Sequence, residues 1–454
     1  MSIQFSQGKL LGETRRNVLK AIQRELQEAA VRAIKGVMEV SLEEEVTAKL
    51  GREKGQPRRV SSQVREIDWR CANCGCNDAN QFTRDGHYRR NLETGWGHIQ
   101  NMRVPMLECQ CCGHDVVCEY AILEKNNRFW MDLDQDILWS TSYCQSVREI
   151  AERWSATVGG SVAPRTINKR INQIEPLVEI SHKEKIEDVP EVIHFDGIWM
   201  TIVEQDETIK PDKRKRARHK RKGKRVVVLV ALGFYKDGRR EILDWEIASS
   251  EGHKEWEGLL NRLKERGVGP ETGLKMVVRD GGGGLKKAIE LVYGSKVIDQ
   301  RCIFHKLQNV SKECHKELKG EANKEKKKQI MQEARLVYDA ESAEQARERL
   351  AAWSSAWREQ APETVATFER DFEDTIAYYQ LKGFERELIR STSLLERVNR
   401  QLRRKISQAL SFGSHIGAEV ALYLQIKRIH AKWADESWWD ISHDLPFDQA
   451  PVHP

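Results

Sequence analysis

The stretch VIHFDGIWMTIV, residues 192–203, has the composition of a buried β-strand but carries a carboxylate, Asp196, near its centre. Burial of a carboxylate costs several kcal/mol unless a cation or hydrogen-bond donors stabilise it. The role of this strand therefore depends on which other residues the chain brings to Asp196.

The segments that follow this strand have the order of a known type of sheet. Two apolar strands, RVVVLVALGFY and REILDWEIA, flank the turn signal KDG, and the helical segment HKEWEGLLNRLKERG comes next. The strand LKMVVRD ends in Asp280, GGGGLKKAIELV then begins a helix, and SKVIDQRCIFH has the pattern of a fifth strand. This β-β-β-α-β-α-β order is the ribonuclease H-like arrangement, an α/β fold with a mixed sheet covered by helices. It predicts that Asp196 and Asp280 are adjacent in space.

Two adjacent carboxylates repel each other, and a divalent cation relieves that repulsion. Hard oxygen ligands at an open site favour Mg²⁺ or Mn²⁺. The glycines after Asp280 do not form a P-loop, because no Gly-Lys-Ser/Thr follows them. They either allow a phosphate to approach the helix N-terminus or form a flexible turn.

The last third of the chain is predicted to be helical. Residues 311–385 are interpreted as an α-helical insertion, and RSTSLLERVNRQLRRKISQAL, residues 390–410, forms a later helix with Glu396 near its start. Spacing alone favours a capping box, in which Glu396 binds the backbone N–H of Ser393. Four basic residues of this helix are candidate DNA contacts: Arg397, Arg400, Arg403 and Arg404.

Cysteine spacing predicts a metal site near the N-terminus. There are ten cysteines and no export signal, which favours metal ligation over disulfides. Two CxxCG turns supply four thiolates suited to tetrahedral structural Zn²⁺: Cys71, Cys74, Cys109 and Cys112. HYRRNLETGWGHIQNMRVPML between them can form a β-hairpin. Cys76, Cys111 or His114 can replace one of the four ligands, and a set of buried free cysteines is the alternative.

Residues 142–176 have the pattern of a helix-turn-helix, with the turn GGS and a proline at the start of the second helix. The exposed part of that helix is predicted to bind DNA through Arg165, Asn168, Lys169 and Arg170. An ordinary helix pair in a bundle is the alternative. DLDQD, residues 132–136, lacks the glycine of a calcium loop, so we interpret it as a solvated turn.

Charge and composition point to a polyanionic partner. The chain has 454 residues, 32% of them charged, and a net charge of +6, but the basic residues are concentrated in KPDKRKRARHKRKGKR, residues 210–225. This run either binds phosphates or forms a solvated loop or targeting tract; its candidate DNA contacts are Arg216, Arg218, Lys220 and Arg221. No stretch approaches the roughly 20 apolar residues of a membrane span, and no signal peptide is apparent, so we expect a cytoplasmic, nucleoid-associated protein.

Five segments together resemble the bacterial relatives of the Mutator transposase superfamily: HFDGIW, VLVALGFYKDGRREIL, VVRDGGGGLKKAI, QRCIFHKLQNV and RSTSLLERVNRQLRR. The resemblance covers residues from about 190 to 430. It implies a DDE triad of Asp196, Asp280 and Glu396, and it places Cys302 and His305 beside the active site. Ser393 departs from the family, which usually has Asn there. The zinc-ribbon-like module is unexpected in the best-known bacterial members and indicates a divergent branch.

The resemblance implies metal-dependent DNA cleavage and strand transfer at the ends of an insertion sequence. The expected partners are double-stranded DNA, as terminal inverted repeats and target, and further copies of the chain in a dimer or larger assembly. A ribonuclease H-like nuclease that does not join DNA is one alternative. A non-catalytic DNA-binding protein derived from a transposase is another, although such a protein would typically have lost a carboxylate.

The predicted domain organisation has seven parts. They are an N-terminal helical region (1–55), a zinc-ribbon-like module (60–125), a helix-turn-helix (140–180), the first part of the catalytic core (190–310), the helical insertion (311–385), the last part of the core (386–435) and a C-terminal tail (436–454).

Overall fold

The computed structural model describes residues 2–57, 63–125, 127–158, 160–205, 221–409, 412–438 and 441. The chain divides into two compact units. The N-terminal unit comprises Met1–Ser140 and Gln145–Ile171, and the C-terminal unit comprises Thr141–Cys144 and Asn172–Pro454. The finer division into seven parts stays a prediction. Among the described residues, no helix combines the length and apolar character that crossing a membrane requires.

The chain up to residue 172 forms four helices and four strands in the described ranges. They are α1 (Ser2–Leu50), β1 (Arg70–Cys71), β2 (Phe82–Thr94), β3 (Gly97–Cys109), β4 (Val116–Val117), α2 (Met131–Ser142), α3 (Val147–Val158) and α4 (Pro164–Asn172). Strands β2 and β3 form the predicted antiparallel hairpin, and β1 pairs with β4. The boundary between the two units falls within α2 and again at the end of α4.

The core of the N-terminal unit joins α1 to the hairpin. Met38, Leu42 and Val46 are buried at four-residue intervals along α1, so they share one face of the helix. That face packs in a single cluster with hairpin residues, including Ile99 and Met102. The apolar face of α1 and the inward-facing residues of the hairpin thus form one hydrophobic core.

Residues 132–136 are helical, so their interpretation as a solvated turn is wrong. Asp134 is buried in α2, where it accepts a hydrogen bond of 2.6 Å from Arg170 Nε and a second, shorter one from Arg170 Nη2. The exposure predicted for Arg170 is also wrong, since only 8% of that residue is exposed. Arg170 follows the buried Ile167 by three positions and therefore lies on the inner face of α4.

The C-terminal unit contains the larger sheet. Its described elements are α5 (Glu175–Ser181), β5 (Val192–Gln205), β6 (Arg221–Phe234), β7 (Arg240–Ala248), α6 (His253–Glu265), β8 (Met276–Arg279), α7 (Gly283–Val292), β9 (Ile298–Arg301), α8 (Ile303–Glu317), α9 (Lys324–Val337), α10 (Ala343–Trp357), α11 (Pro362–Glu369), α12 (Phe372–Thr375), α13 (Arg386–Arg390), α14 (Ser393–Ala409) and α15 (His415–Trp433).

The five strands of this unit lie in the order β7-β6-β5-β8-β9. The pairs β5–β6 and β6–β7 are antiparallel, whereas β5–β8 and β8–β9 are parallel. Alternate residues of β5 such as Ile193 and Phe195 pack with α6 and α7 in one hydrophobic core. The mixed sheet and the sequence of strands and helices are those predicted from the sequence.

Residues 303–375 are mainly helical, in agreement with the predicted pattern, and have an aromatic core of their own. Phe368 lies in edge contact with Trp353 and packs against Tyr338 and Phe372. Hydrogen bonds attach this region to the edge of the sheet, since Gln300 of β9 donates to the carbonyl oxygen of Thr375 at 2.9 Å. Its status as an insertion stays a prediction.

Replacing Asp134 by Ala should lower the free energy of unfolding by about 3 kcal/mol, because the buried Arg170 guanidinium loses its closest carboxylate. Thermal unfolding followed by circular dichroism measures this change. Arg165→Ala is the control. Arg165 lies on the exposed side of α4, the helix that carries Arg170, and its replacement should change the free energy of unfolding by no more than about 0.5 kcal/mol. Equal stability of Asp134→Ala and the wild type would contradict a structural role for the pair.

Candidate active site and cysteine cluster

The register of two neighbouring strands brings Asp196 and Asp280 together. In the parallel pair of β5 with β8, Val192 lies opposite Met276 and His194 opposite Val278, an offset of 276 − 192 = 84. Asp280 directly follows β8 and has the same offset from Asp196, since 280 − 196 = 84. Because side chains at one level of adjacent parallel strands share a face, the two carboxylates are neighbours.

Two hydrogen bonds hold the Asp196 carboxylate. The backbone N–H of Gly197 donates to Oδ1 at 2.9 Å, and Asn399 Nδ2 donates to Oδ2 at 2.6 Å. Burial raises the pKa of Asp196 and the charge of Asp280 raises it further, although the two hydrogen bonds and the charge of His305 oppose that rise. The site therefore holds a carboxylate whose charge is only partly offset by its surroundings.

Asp280 is held by the turn that leads into α7. The backbone N–H of Gly282 donates to Asp280 Oδ1 at 2.8 Å, as in a turn capped by an Asp side chain. A Cβ atom on Gly282 would come within 2.9 Å of that same oxygen. The glycines after Asp280 therefore permit close packing around the carboxylate, and phosphate approach at this turn stays a prediction.

Glu396 does not cap its helix, so the capping-box interpretation is wrong. The helix begins at Ser393, and its first hydrogen bond runs from Glu396 N–H to the Thr392 oxygen at 2.9 Å, which makes Thr392 the cap residue. Glu396 Oε1 is buried and accepts no hydrogen bond from any residue that the structure describes. It forms an ion pair with His305, whose Nε2 lies 3.6 Å from Glu396 Oε1.

Cys302 and His305 connect the sheet edge to the helix of Glu396. The N–H and the hydroxyl of Thr392 donate to Cys302 Sγ at 3.3 and 3.4 Å. The neighbouring Cys302 side chain raises the pKa of His305 to about 9, against the effect of burial, and the charges of Asp196 and Glu396 add to that rise. Burial opposes ionisation of Cys302, but the neighbouring His305 still lowers the pKa of Cys302. His305 thus places a positive charge beside two of the predicted carboxylates.

Sequence reasoning missed two polar residues at this site. Asn399 lies three positions after Glu396, on the same face of α14, and this helical spacing could have identified it. Glu251 lies in the connection between β7 and α6, and the charges of Asp280 and Asp196 both raise its pKa, after the larger effect of burial. No motif surrounds Glu251, so only the folded structure identifies it.

Most of the predicted DNA-binding side chains that the structure describes are exposed. On α14, Leu395, Val398 and Leu402 face the core, and the exposed residues are Arg397, Arg400, Arg403 and Arg404. On α4, the exposed residues are Arg165, Asn168 and Lys169. Arg216, Arg218 and Lys220 lie outside the described residues, and Arg221 is described only as the first residue of β6.

The four predicted zinc ligands form one cluster. Their sulfur atoms all lie within 4.8 Å of one another: Cys71, Cys74, Cys109 and Cys112. The glycines that follow the two CxxC turns, Gly75 and Gly113, have φ values of +71° and +69°, which side chains rarely adopt. A second group combines Cys109 with Cys76 and Cys111, whereas His114 belongs to neither group. The N-terminal unit therefore has a cysteine cluster that can hold a metal ion.

Comparison with known proteins identifies the family. The sequence pattern described as Transposase, Mutator family, matches residues 14–436. This chain is 25% identical over 423 residues to the transposase for insertion sequence element ISRM5 of Rhizobium meliloti (strain 1021), with 92% of this chain and 91% of the relative covered. It is 23% identical over 366 residues to the transposase for insertion sequence element IS905 of Lactococcus lactis subsp. lactis (strain IL1403), with 78% of this chain and 83% of the relative covered.

Similarity to solved structures is weaker. The Drosophila P element transposase strand transfer complex aligns with 66% of this chain and 80% of its own, at 10% identity and a TM-score of 0.26. That score is too low to establish a shared fold. The family pattern, in contrast, spans nearly the whole chain. This protein therefore belongs to the Mutator family of transposases.

Proposed function

We propose that this transposase uses Asp196, Asp280 and Glu396 as a DDE triad for metal-dependent DNA cleavage and strand transfer at insertion-sequence ends. The observation that carries the proposal is the register of β5 with β8, which brings Asp196 level with Asp280 at the end of β8. A buried oxygen of Glu396 that accepts no hydrogen bond from any described residue belongs to the same charge network. The mixed sheet in the order β7-β6-β5-β8-β9 supports the interpretation of this unit as a ribonuclease H-like core.

The three carboxylates are of the chemical type that a divalent cation such as Mg²⁺ or Mn²⁺ prefers. They offer hard oxygen donors, and no lysine or arginine in the described part of the chain forms an ion pair with them. Such an ion would bind the Glu396 oxygen that accepts no hydrogen bond from the described residues and would relieve the mutual repulsion of Asp196 and Asp280. When bound, divalent cations at a site of this kind activate the attacking oxygen and stabilise the departing one.

The protein's own groups position the reacting carboxylates. Asn399 and the Gly197 N–H fix the Asp196 oxygens, and the Gly282 N–H fixes Asp280. Protonated His305 balances part of the negative charge between Asp196 and Glu396. Water attacks phosphorus at the element end, and the bond from phosphorus to the 3′ oxygen breaks, which leaves a 3′-hydroxyl. That hydroxyl then attacks a phosphodiester of target DNA, so that a new bond from the element 3′ oxygen to phosphorus forms and the 3′ oxygen of the target strand leaves as a hydroxyl.

Exposed basic residues are proposed to bind the DNA backbone. The arginines of α14 follow Glu396 on the same helix, so phosphates that they bind lie close to the triad. The basic run of residues 210–225 lies between β5 and β6 in the chain and is proposed to add further phosphate contacts. Helix α4 is proposed to read the terminal repeats through Arg165, Asn168 and Lys169.

The cysteine cluster is proposed to bind a structural Zn²⁺. Four thiolates complete a tetrahedral shell and leave no open position for catalysis. The proposed role is to fix the two CxxC turns at the base of the β2–β3 hairpin.

Strand transfer of an element requires that its two ends be paired, so we also propose a dimer or larger assembly. Apolar side chains at one side of α1 support this proposal, because Val18, Ile22 and Leu26 recur at four-residue intervals and are about half exposed or more. A second copy of the chain would bury such a stripe by helix pairing.

Asp196→Asn, Asp280→Asn and Glu396→Gln should each reduce cleavage of element ends at least about a hundredfold, because each removes one anionic ligand. The assay uses DNA from both sides of this gene with Mg²⁺ or Mn²⁺, and gel electrophoresis resolves nicked and joined products. Glu290→Gln, an exposed acid on α7, is the matched control and should cut normally.

Joined products from the wild type would distinguish a transposase from a nuclease that only cuts. A triad variant that cuts as well as the control would contradict the assignment of that residue. Binding of the ends without any cutting by the wild type would instead favour a DNA-binding derivative.

Arg165→Ala and Lys169→Ala should each weaken binding to terminal-repeat DNA and reduce the slope of log K against log salt by about 0.9, because each removes one phosphate contact. Fluorescence anisotropy at several salt concentrations measures this slope. Lys236→Ala, an exposed lysine between β6 and β7, is the control. Unchanged slopes in both α4 variants would exclude the proposed role of this helix.

The purified wild type should contain about one zinc ion per chain, and Cys74→Ser should lose it, because three thiolates bind zinc more weakly than four. Mass spectrometry of the metal content measures the stoichiometry. Cys111→Ser removes an exposed cysteine outside the four-thiol cluster and should retain zinc. Loss of zinc from Cys111→Ser but not from Cys74→Ser would assign the site to the second group of cysteines.

A further inference from the structure

A buried arginine lies directly before Asp280. Arg279 is the last residue of β8, and only 2% of it is exposed. Its guanidinium donates to both carboxylate oxygens of Asp299 on β9, from Nε at 2.7 Å and from Nη2 at 2.8 Å. The other terminal nitrogen, Nη1, donates to the backbone carbonyl oxygen of Asp280 at 3.0 Å. Arg279 therefore attaches the main chain of Asp280 to the neighbouring strand.

Asp374 of α12 joins this network from the helical region. Its Oδ2 atom accepts a hydrogen bond from Arg279 Nη2 at 3.1 Å and another from Lys286 Nζ at 2.8 Å. Arg279 precedes Asp280 in the chain, whereas Lys286 lies near the start of α7, which follows Asp280. One carboxylate oxygen thus bridges the chain on both sides of Asp280.

Contacts of this kind can fix a metal ligand without touching the metal. The two parallel bonds to Asp299 hold the planar Arg279 guanidinium in one orientation, and charge-assisted bonds are stronger than neutral ones. The bond from Arg279 goes to the backbone oxygen of Asp280, so it does not compete with a cation for the carboxylate. Groups that orient metal ligands from outside the coordination shell have large effects on metal affinity.

We propose that Asp374 is a positioning residue for the cation centre of Asp196, Asp280 and Glu396, and that it acts on Asp280 through Arg279 and Lys286. The proposal rests on the proposed function, because it assumes that Asp280 binds a divalent cation. It assigns a part in metal binding to α12, a helix that contributes no member of the triad.

Direct measurement of Mn²⁺ binding tests this proposal without reference to catalysis. The full-length protein is titrated with Mn²⁺ in the absence of DNA, and electron paramagnetic resonance gives the affinity. Asp374→Asn should weaken Mn²⁺ binding about tenfold, because it removes the charged acceptor of both bonds.

Glu373→Gln is the matched control for this variant. Glu373 precedes Asp374 in α12 and forms two hydrogen bonds of 2.9 Å with Arg347 of α10. Its replacement also removes one acid and one arginine–carboxylate pair from α12, but this pair lies within the helical region. Glu373→Gln should therefore bind Mn²⁺ like the wild type.

Lys286→Met distinguishes positioning from a simple effect of charge. If only the electric field at the site matters, loss of a positive charge should strengthen Mn²⁺ binding. If Asp374 positions the chain, loss of the Lys286 bond should instead weaken Mn²⁺ binding, about fivefold. A Lys286→Met variant that binds Mn²⁺ more tightly than the wild type would overturn the proposal. Lys286 is partly exposed, so this test does not depend on the folding of Asp374→Asn.

Thermal unfolding of the same variants separates positioning from a general loss of stability. A merely structural role of Asp374 would lower the unfolding temperature of Asp374→Asn and leave the Mn²⁺ affinity of the folded protein unchanged, which would contradict the proposal. Asp374→Glu retains the charged acceptor and should bind Mn²⁺ more tightly than Asp374→Asn.

Asp280→Asn separates the failure of this proposal from the failure of the proposed function. If Asp280→Asn loses Mn²⁺ while Asp374→Asn and Lys286→Met bind it like the wild type, the triad centre stands and the role of Asp374 is overturned. If the wild type itself binds no Mn²⁺, the proposed centre and the role of Asp374 are both overturned.

Discussion

The parallel pairing of β5 with β8 brings the carboxylates of Asp196 and Asp280 to one level of the sheet, where they repel each other. The groups around them compensate for this repulsion. Asp196 is stabilised by Asn399 from α14 and Asp280 by the turn before α7, while His305 comes from α8. Two of these groups, Asn399 and His305, belong to different helices. The helices must therefore pack correctly on the sheet before the carboxylates are stabilised, so assembly of the site and assembly of the fold are coupled.

The position of Glu396 depends on a contact between distant parts of the chain. Thr392 donates two hydrogen bonds to Cys302, 90 positions earlier, and thereby fixes the start of α14 beside the end of β9. The helices between these two residues build an aromatic core around Phe368 and attach to β9 through Gln300. They also contact the residue that precedes Asp280, because Arg279 Nη2 donates to Asp374 Oδ2 at 3.1 Å.

Periodicity predicted the strands and helices of the larger sheet in the correct order, because apolar spacing directly reflects which face of an element is buried. It did not predict the environment of single polar residues. The spacing Ser-x-x-Glu has different outcomes at the starts of two helices. Ser146 and Glu149 bond reciprocally, at 2.7 and 3.2 Å, as a capping box, whereas Glu396 Oε1 accepts no hydrogen bond from any described residue. The Ser-x-x-Glu spacing is the same at the starts of α3 and α14, so tertiary contacts decide whether the glutamate caps its helix.

Arg170 and Glu251 also show that local sequence does not predict the environment of a charged side chain. Arginine is a typical DNA-binding residue, but the Arg170 guanidinium is buried because it donates a hydrogen bond to Asp134, 36 positions away. Glu251 lies in a short connection between β7 and α6, but its Oε1 packs over Gly197 of β5, which lies 251 − 197 = 54 positions earlier. In both cases the partner is distant in sequence, so the local pattern does not reveal it. The packing of Glu251 depends on a missing side chain, because a Cβ on Gly197 would lie within 2.5 Å of Glu251 Oε1.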